Sequence, residues 1–226
     1  MGLKAVIETA RSSDAEAIHR LLRDAGEDKL LRRPEGDYRR SIEAGLFCVV
    51  RSEGALVGIA GAFPLSEGEP ALVEMGSCYV APPFRGFGLQ KLLVRARIAA
   101  VVAEVDPNAR ILTAITPQNL GSRASILKAG FEPLGEHERL LIELCAYCVA
   151  RPGAASDRLC CCDFFHIPPS RQRSEIAALL RPGPVLLARA NGDRLSVTMD
   201  IDALKQPRAA LAAFVHASAQ PADAGA

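Results

Sequence analysis

The junction between residues 71 and 103 constrains this chain more than any other stretch. Ala71 to Val80 is apolar and reads as a strand, and Ala81-Pro82-Pro83-Phe84-Arg85-Gly86-Phe87-Gly88 separates it from a helix. The helix shows in Leu89, Leu92, Leu93, Ala96, Ala99, Ala100 and Ala103, which recur on one face. A strand entering a helix through such a loop leaves main-chain N–H groups unpaired at the helix start. Those donors, with the positive end of the helix dipole, suit a diphosphate. Gly86 and Gly88 let the backbone approach it closely, and Arg85 adds charge. Taken alone, the glycines read equally well as a turn into a helix.

The surrounding pattern supplies a fold. Lys4 to Thr9 reads as a strand, and Ser13 with Glu16 forms a capping box for a helix bearing Ala15, Ile18, Leu21, Leu22 and Ala25. Residues 27–36 read as a loop and 37–44 as a short helix. Leu46 to Arg51 and Ala55 to Pro64 form a hairpin about Ser52-Glu53-Gly54, and Ser66 to Pro70 is a turn. Beyond the long helix come a strand at 110–115 and a helix at 118–129. Gly130 is its left-handed C-cap, and strands at 131–134 and 139–150 follow. Antiparallel strands followed by a β-α-β unit predict an α/β class with a mixed, largely antiparallel central sheet and helices on both faces.

Arg151 to Ser156 reads as a linker, giving a domain over residues 1–150 and a C-terminal α/β extension over 151–226. The extension holds a strand (159–167), a helix (170–180), a hairpin and a last helix (202–217). The hairpin joins 185–190 to 194–199 across Asn191-Gly192, a type I′ signal. It is either a small lobe or an addition to the first sheet.

Composition removes several classes. With 226 residues, 49% of them hydrophobic, the chain can bury a core without metals or disulfides. A net charge of +1 argues against a nucleic-acid partner. No apolar run approaches the ~18 residues of a membrane span, and no signal peptide is visible. The seven cysteines are an odd set for a secreted framework, so the expected compartment is the cytoplasm. Cys145, Cys148, Cys160, Cys161, Cys162 and His166 lie in strand-like surroundings and read as structural groups, so no metal is expected. The basic cluster Lys29, Arg32, Arg33, Arg39 and Arg40 reads as a solvated loop face.

Val80-Ala81-Pro82-Pro83-Phe84-Arg85-Gly86-Phe87-Gly88 resembles the acyl-CoA signature of the GNAT N-acetyltransferase superfamily. Asn119, opening a helix that ends in Gly130-Phe131, resembles the second half of that signature. The family's element order matches residues 4 to 149. The resemblance implies acetyl-CoA as co-substrate, with Val80 and Ala81 beside the pantetheine arm, along with Tyr79. Arg85, Gly86, Phe87, Gly88, Leu89 and Gln90 would form the diphosphate loop, with Lys91 close by. Asn119 would bond the cofactor or cap its helix. Gln90 departs from the family's small residue.

The implied reaction moves an acetyl group to a primary amine on a small molecule or peptide. Val80 would donate its N–H to the oxyanion, and Glu74 would be the general base. Alternation would put Glu74 on one strand face with Gly76 and Cys78. Ile126 stands where the family carries a tyrosine acid, leaving Tyr79, Ser122 and Cys78 as candidates. The alternatives are a non-catalytic acyl-CoA sensor or assembly module of the same fold, and a C-terminal dimerisation or partner-binding module, dimerisation giving a homodimer.

Overall fold

The computed structural model describes residues 2–24, 33–66, 70–135, 162–199, 204 and 208–216. The elements along the chain are β1 (Leu3–Thr9), α1 (Ala15–Asp24), α2 (Glu35–Glu43), β2 (Phe47–Ser52), β3 (Ala55–Ser66) and β4 (Leu72–Val80). There follow α3 (Leu89–Glu104), β5 (Arg110–Ile115), α4 (Leu120–Lys128) and β6 (Glu132–Pro133). The last are β7 (Asp163–His166), α5 (Pro169–Leu179), β8 (Val185–Ala188), β9 (Arg194–Met199) and α6 (Arg208–His216). Among the described residues the strands form one sheet, ordered β6-β7-β5-β4-β3-β2-β1-β9-β8. Neighbours are antiparallel except β4 with β5 and β1 with β9.

Local chemistry explains the tight connections. Glu53 and Gly54 both have positive φ, 50° and 80°, between the paired Ser52 and Ala55. That is the two-residue type I′ turn whose twist matches a hairpin. Helix α1 starts differently from expectation: a 3₁₀ turn at Ser12–Asp14 precedes it, and the Asp14 carboxylate accepts from the Arg11 N–H at 2.9 Å. Glu16 is turned outward to Arg20, so Ser13 and Glu16 do not close a capping box.

Two apolar layers sandwich the sheet. On one face Ile18 and Leu22 of α1 and Tyr38 and Ile42 of α2 pack on Phe47, Val49, Ile59 and Phe63. On the other face α3 lies against Cys48, Val50, Ala60, Val73 and Met75. Strands covered on both sides read as unbroken apolar runs. Helix α3 is buried well beyond its expected face, at Val94, Ile98, Val101 and Val102 as well, because α5 and α6 cover the side that would otherwise meet water.

The C-terminal residues add to this sheet. Strand β7 inserts antiparallel between β5 and β6, and β9 lies parallel to β1 at the far edge. The strand expected at 139–150, the linker and the boundary near 150 lie outside the described residues. The β8–β9 turn departs from type I′. The Arg189 N–H donates to the Asp193 carbonyl, and the Gly192 N–H donates to Arg189 at 3.0 Å with Gly192 at φ 90°. This is a three-residue loop closed by a left-handed glycine; Asn191 makes an Asx contact to the Asp193 N–H at 3.2 Å.

Candidate functional site

The site grows from the point where β4 and β5 part. They pair at Leu72/Arg110, Val73/Ile111 and Glu74/Leu112, and the ladder stops there although β4 continues to Val80 and β5 to Ile115. The Thr113 hydroxyl donates to the Met75 carbonyl at 2.8 Å, just past the last paired step. On its other side β4 remains paired with β3 as far as Gly58/Val80. The result is a wedge whose β4 wall has main-chain groups without a strand partner. The Ala81 N–H donates to Val57 on the β3 side. By strand alternation the Val80 N–H points the opposite way, into the wedge.

A bulge re-phases this wall. Between the Ile59/Tyr79 and Gly61/Gly76 pairs, one residue of β3, Ala60, faces two of β4, Ser77 and Cys78, and Ser77 has φ 49°. An extra residue shifts every following side chain to the other face. Val73 and Met75 pack toward α3, and beyond the bulge so do Cys78 and Val80. Glu74 therefore does not share a face with Cys78; simple alternation fails at Ser77.

Glu74 is buried and paired to Arg33, Oε2 to Nη2 at 2.7 Å. The Arg33 guanidinium carbon lies 3.8 Å over the Phe63 ring, and the Arg33 N–H donates to the Tyr38 hydroxyl at 3.2 Å. Tyr38 and Ser77 share a hydrogen bond of 3.2 Å. Arg33 is thus part of a buried polar group under the bulge, not of a solvated face, whereas Arg39 and Arg40 are exposed and pair with Glu35 and Asp37. Lys29 and Arg32 lie outside the described residues. Nothing in the sequence marked Tyr38 or Ser77, since a bulge leaves no periodic trace.

At the mouth of the wedge a 3₁₀ turn (Pro82–Phe84) leads to α3. Gly86 and Gly88 have φ of 83° and 90°, a region open to glycine and costly for others. Phe84 and Phe87 are buried and anchor the loop. Among the described residues, no hydrogen bond occupies the main-chain N–H groups from Gly86 to Gln90, whereas Arg85 and Lys91 donate to Pro82 and Gly88. Five consecutive free amides at the start of a 16-residue helix are a concentrated set of donors, an arrangement suited to an anion. Arg85 folds back, its Nε donating to the Val80 carbonyl at 2.7 Å and its guanidinium 5.4 Å from the Tyr79 ring centroid. Leu89 is buried, Gln90 half-buried and Lys91 exposed.

The remaining candidates are placed as follows. Asn119 caps α4, accepting from the Ser122 N–H at 3.1 Å. Ile126 is a core residue. Tyr79 is buried among Ile59, Phe63 and Val49. Burial pushes the Cys78 thiol up, partly offset by the nearby Arg97 charge. Burial pushes Cys48 up to about 12. Arg97 is itself buried and donates to the carbonyls of Leu93, Gly61 and, at 3.4 Å, Gly76. Among the described residues no group of three His, Cys, Asp or Glu could hold a metal; Cys145, Cys148, Cys160 and Cys161 lie outside them. No described helix is long and apolar enough to cross a membrane.

Known proteins resemble this chain in family and fold. The model of the acetyltransferase (GNAT) family matches residues 4–131. No curated relative matches the chain. Among solved structures, diaminobutyrate acetyltransferase EctA from Paenibacillus lautus, in complex with L-2,4-diaminobutyric acid and coenzyme A, has a TM-score of 0.52 at 18% identity, covering 74% of this chain and 96% of its own. An acetyltransferase of the GNAT family from Streptococcus pneumoniae has a TM-score of 0.50 at 15% identity, covering 73% and 99%. Arabidopsis thaliana Naa50, in complex with the bisubstrate analogue CoA-Ac-MVNAL, has a TM-score of 0.50 at 14% identity, covering 72% and 95%. At these identities the likeness is one of fold.

Proposed function

Since this chain belongs to the GNAT acetyltransferase family, we propose that it transfers an acetyl group from acetyl-CoA to a primary amine. The observation that carries this reading is the row of free amides from Gly86 to Gln90 beside the parted strands β4 and β5. The amides hold the diphosphate, with Arg85 and Lys91 adding charge. The pantetheine arm runs along Val80 and Ala81 and presents the thioester to the wedge. Asn119 spends its carbonyl oxygen on capping α4, which supports a supporting role in cofactor binding, through the helix it fixes.

The amine nitrogen attacks the thioester carbonyl, forming a C–N bond and a tetrahedral oxyanion. The Val80 N–H stabilises that charge. The C–S bond then breaks and CoA leaves as a thiolate, a tolerable leaving group because thiols ionise near ~8.5. The proton from nitrogen passes to Glu74, directly or through one water. Arg33 balances the Glu74 charge, which would otherwise be costly in so buried a place. Of the acid candidates, Tyr79 has its ring centroid 5.4 Å from the Arg85 guanidinium of the loop, so thiolate protonation is assigned to Tyr79 or to water.

The acceptor is a small-molecule or peptide amine. EctA with diaminobutyrate and Naa50 with a peptide-bearing analogue support that class without choosing within it. Cys48 and Cys78 stand as thiols, which supports a cytoplasmic setting. The test is calorimetry with acetyl-CoA followed by thiol release over a panel of amines. Saturable binding and amine-dependent release support the reading; no heat with folded protein sinks it. A buried Ile126, where the family has its tyrosine, favours a second reading in which acetyl-CoA binds without turnover. Binding with no release on any amine would select it.

A further inference from the structure

The β8–β9 turn carries an arginine that reaches the loop at the mouth of the wedge. Arg189 Nε donates to the Arg85 carbonyl at 2.7 Å, and its Nη2 donates to the Pro83 carbonyl at 2.5 Å. Its guanidinium carbon stands 4.0 Å from the centroid of the Phe87 ring. A Cβ built on Gly86 would lie 3.5 Å from the same Nε. Asp193, on the hairpin itself, holds Nη1 from behind at 3.4 Å. One side chain therefore touches Pro83, Arg85, Gly86 and Phe87, over a hundred residues earlier in the chain.

Resting on the diphosphate reading of that loop, we infer that Arg189 is a positioning residue for acyl-CoA binding. Through it the C-terminal hairpin sets the direction of the phosphate-binding amides. The reason lies in the peptide plane. In a trans peptide the C=O of one residue and the N–H of the next point in opposite directions. Drawing the Arg85 carbonyl toward the hairpin turns the Gly86 N–H away from it, at the first of the five free amides. A cation on the carbonyl side also polarises the peptide and makes its N–H a better donor. Three of the five Arg189 N–H groups go to two carbonyls and Asp193, and the guanidinium sits on the carbonyl side of the Arg85–Gly86 peptide, opposite the amide, so it acts through the loop and not on the phosphates. Such a clamp matters here because Gly86 and Gly88 give the loop backbone freedom, and its other anchors are the two buried phenylalanines and hydrogen bonds to near neighbours in the chain.

A flat, forked, stacking group is needed for two carbonyls and a ring together, so lysine cannot replace it. The experiment uses the full chain and its Arg189→Met and Arg189→Lys variants. CoA affinity is read by calorimetry, hydrogen exchange by mass spectrometry over residues 82–90, and folding by thermal unfolding. Arg189→Met should weaken CoA about ten-fold and speed exchange in that loop while leaving the rest of the sheet protected. Arg189→Lys should recover little of either. Unchanged affinity in Arg189→Met, exchange rising equally across the sheet, or full recovery by Arg189→Lys would each overturn the inference. If the parent protein itself bound no CoA, the site reading would fall first and this one with it. The parent alone shows that outcome, so the two failures are distinguishable.

Discussion

The Thr113 hydroxyl donates to the Met75 carbonyl one residue beyond the last paired step of β4 and β5. The carbonyl that the missing ladder leaves without a strand partner is thereby satisfied, so the parting of the strands begins without an orphaned acceptor at Met75. Thr113→Val keeps the shape and the strand preference but removes the donor. An orphaned buried carbonyl costs about 1–3 kcal/mol. Urea unfolding should show a loss in that range, with an unchanged slope because the same surface is exposed.

The Arg33–Glu74 pair predicts a different pattern, because both partners are buried and each balances the charge of the other. Arg33→Met leaves a buried carboxylate and should cost about 3 kcal/mol. Glu74→Gln leaves a buried guanidinium and should cost a similar amount. The Arg33→Met, Glu74→Gln double variant should be far less damaged than the sum, and the double-mutant cycle measures that coupling. The proposed chemistry adds a second readout. Glu74→Gln should lower turnover by about a hundred-fold while CoA affinity changes little. Equal losses in both would leave Glu74 a structural residue.

Much of this was legible because its causes are local. The Ser52–Ala55 hairpin, the left-handed Gly130 and the loop from Arg85 to Gln90 follow from residues adjacent in the chain. The mixed sheet with two helical faces followed from the order of the elements. What escaped was non-local. The bulge at Ser77 is one extra residue in a run of small side chains, which breaks alternation without altering composition. Arg33 lay in a charged stretch, and only the approach of Glu74 and Phe63 makes it a buried ion. The I′ reading of Asn191-Gly192 failed because the Arg189 N–H bonds the Asp193 carbonyl, which leaves three residues in the loop where a I′ turn has two. Arg189 gains its meaning only from a loop that folds against it.

Asp14 predicts an acid sensitivity. Burial alone pushes its carboxyl up, but the Arg11 N–H and the Arg51 guanidinium outweigh it and hold it below the ordinary 3.8. Arg51 also binds Glu8 at 2.7 Å, so this network ties β1, β2 and the entry to α1. A carboxyl whose folded value lies below its unfolded one contributes stability that is complete above the unfolded value. That contribution is lost as pH falls through the folded value. Stability measured from pH 6 downward should therefore fall below about pH 4 less steeply in Asp14→Asn than in the parent, with Asp14→Asn weaker at neutral pH. Parallel curves would exclude Asp14 as a source of the acid loss.

Gly88 allows backbone conformation to be separated from space. It caps α3 at φ 90°, and a Cβ there would meet nothing within 4 Å. Any penalty for a side chain at this position is thus one of dihedral angle, about 1–2 kcal/mol for an ordinary residue. Asparagine tolerates the left-handed region better, so Gly88→Asn should be milder than Gly88→Ala although its side chain is larger. If Gly88→Ala escapes the strain by rotating its peptide, the amides of Leu89 and Gln90 lose their common aim. Calorimetry should then show acetyl-CoA binding about ten-fold weaker in Gly88→Ala and a smaller loss in Gly88→Asn. The reverse order would mean that bulk at the mouth of the wedge, and not the direction of its amides, governs cofactor affinity.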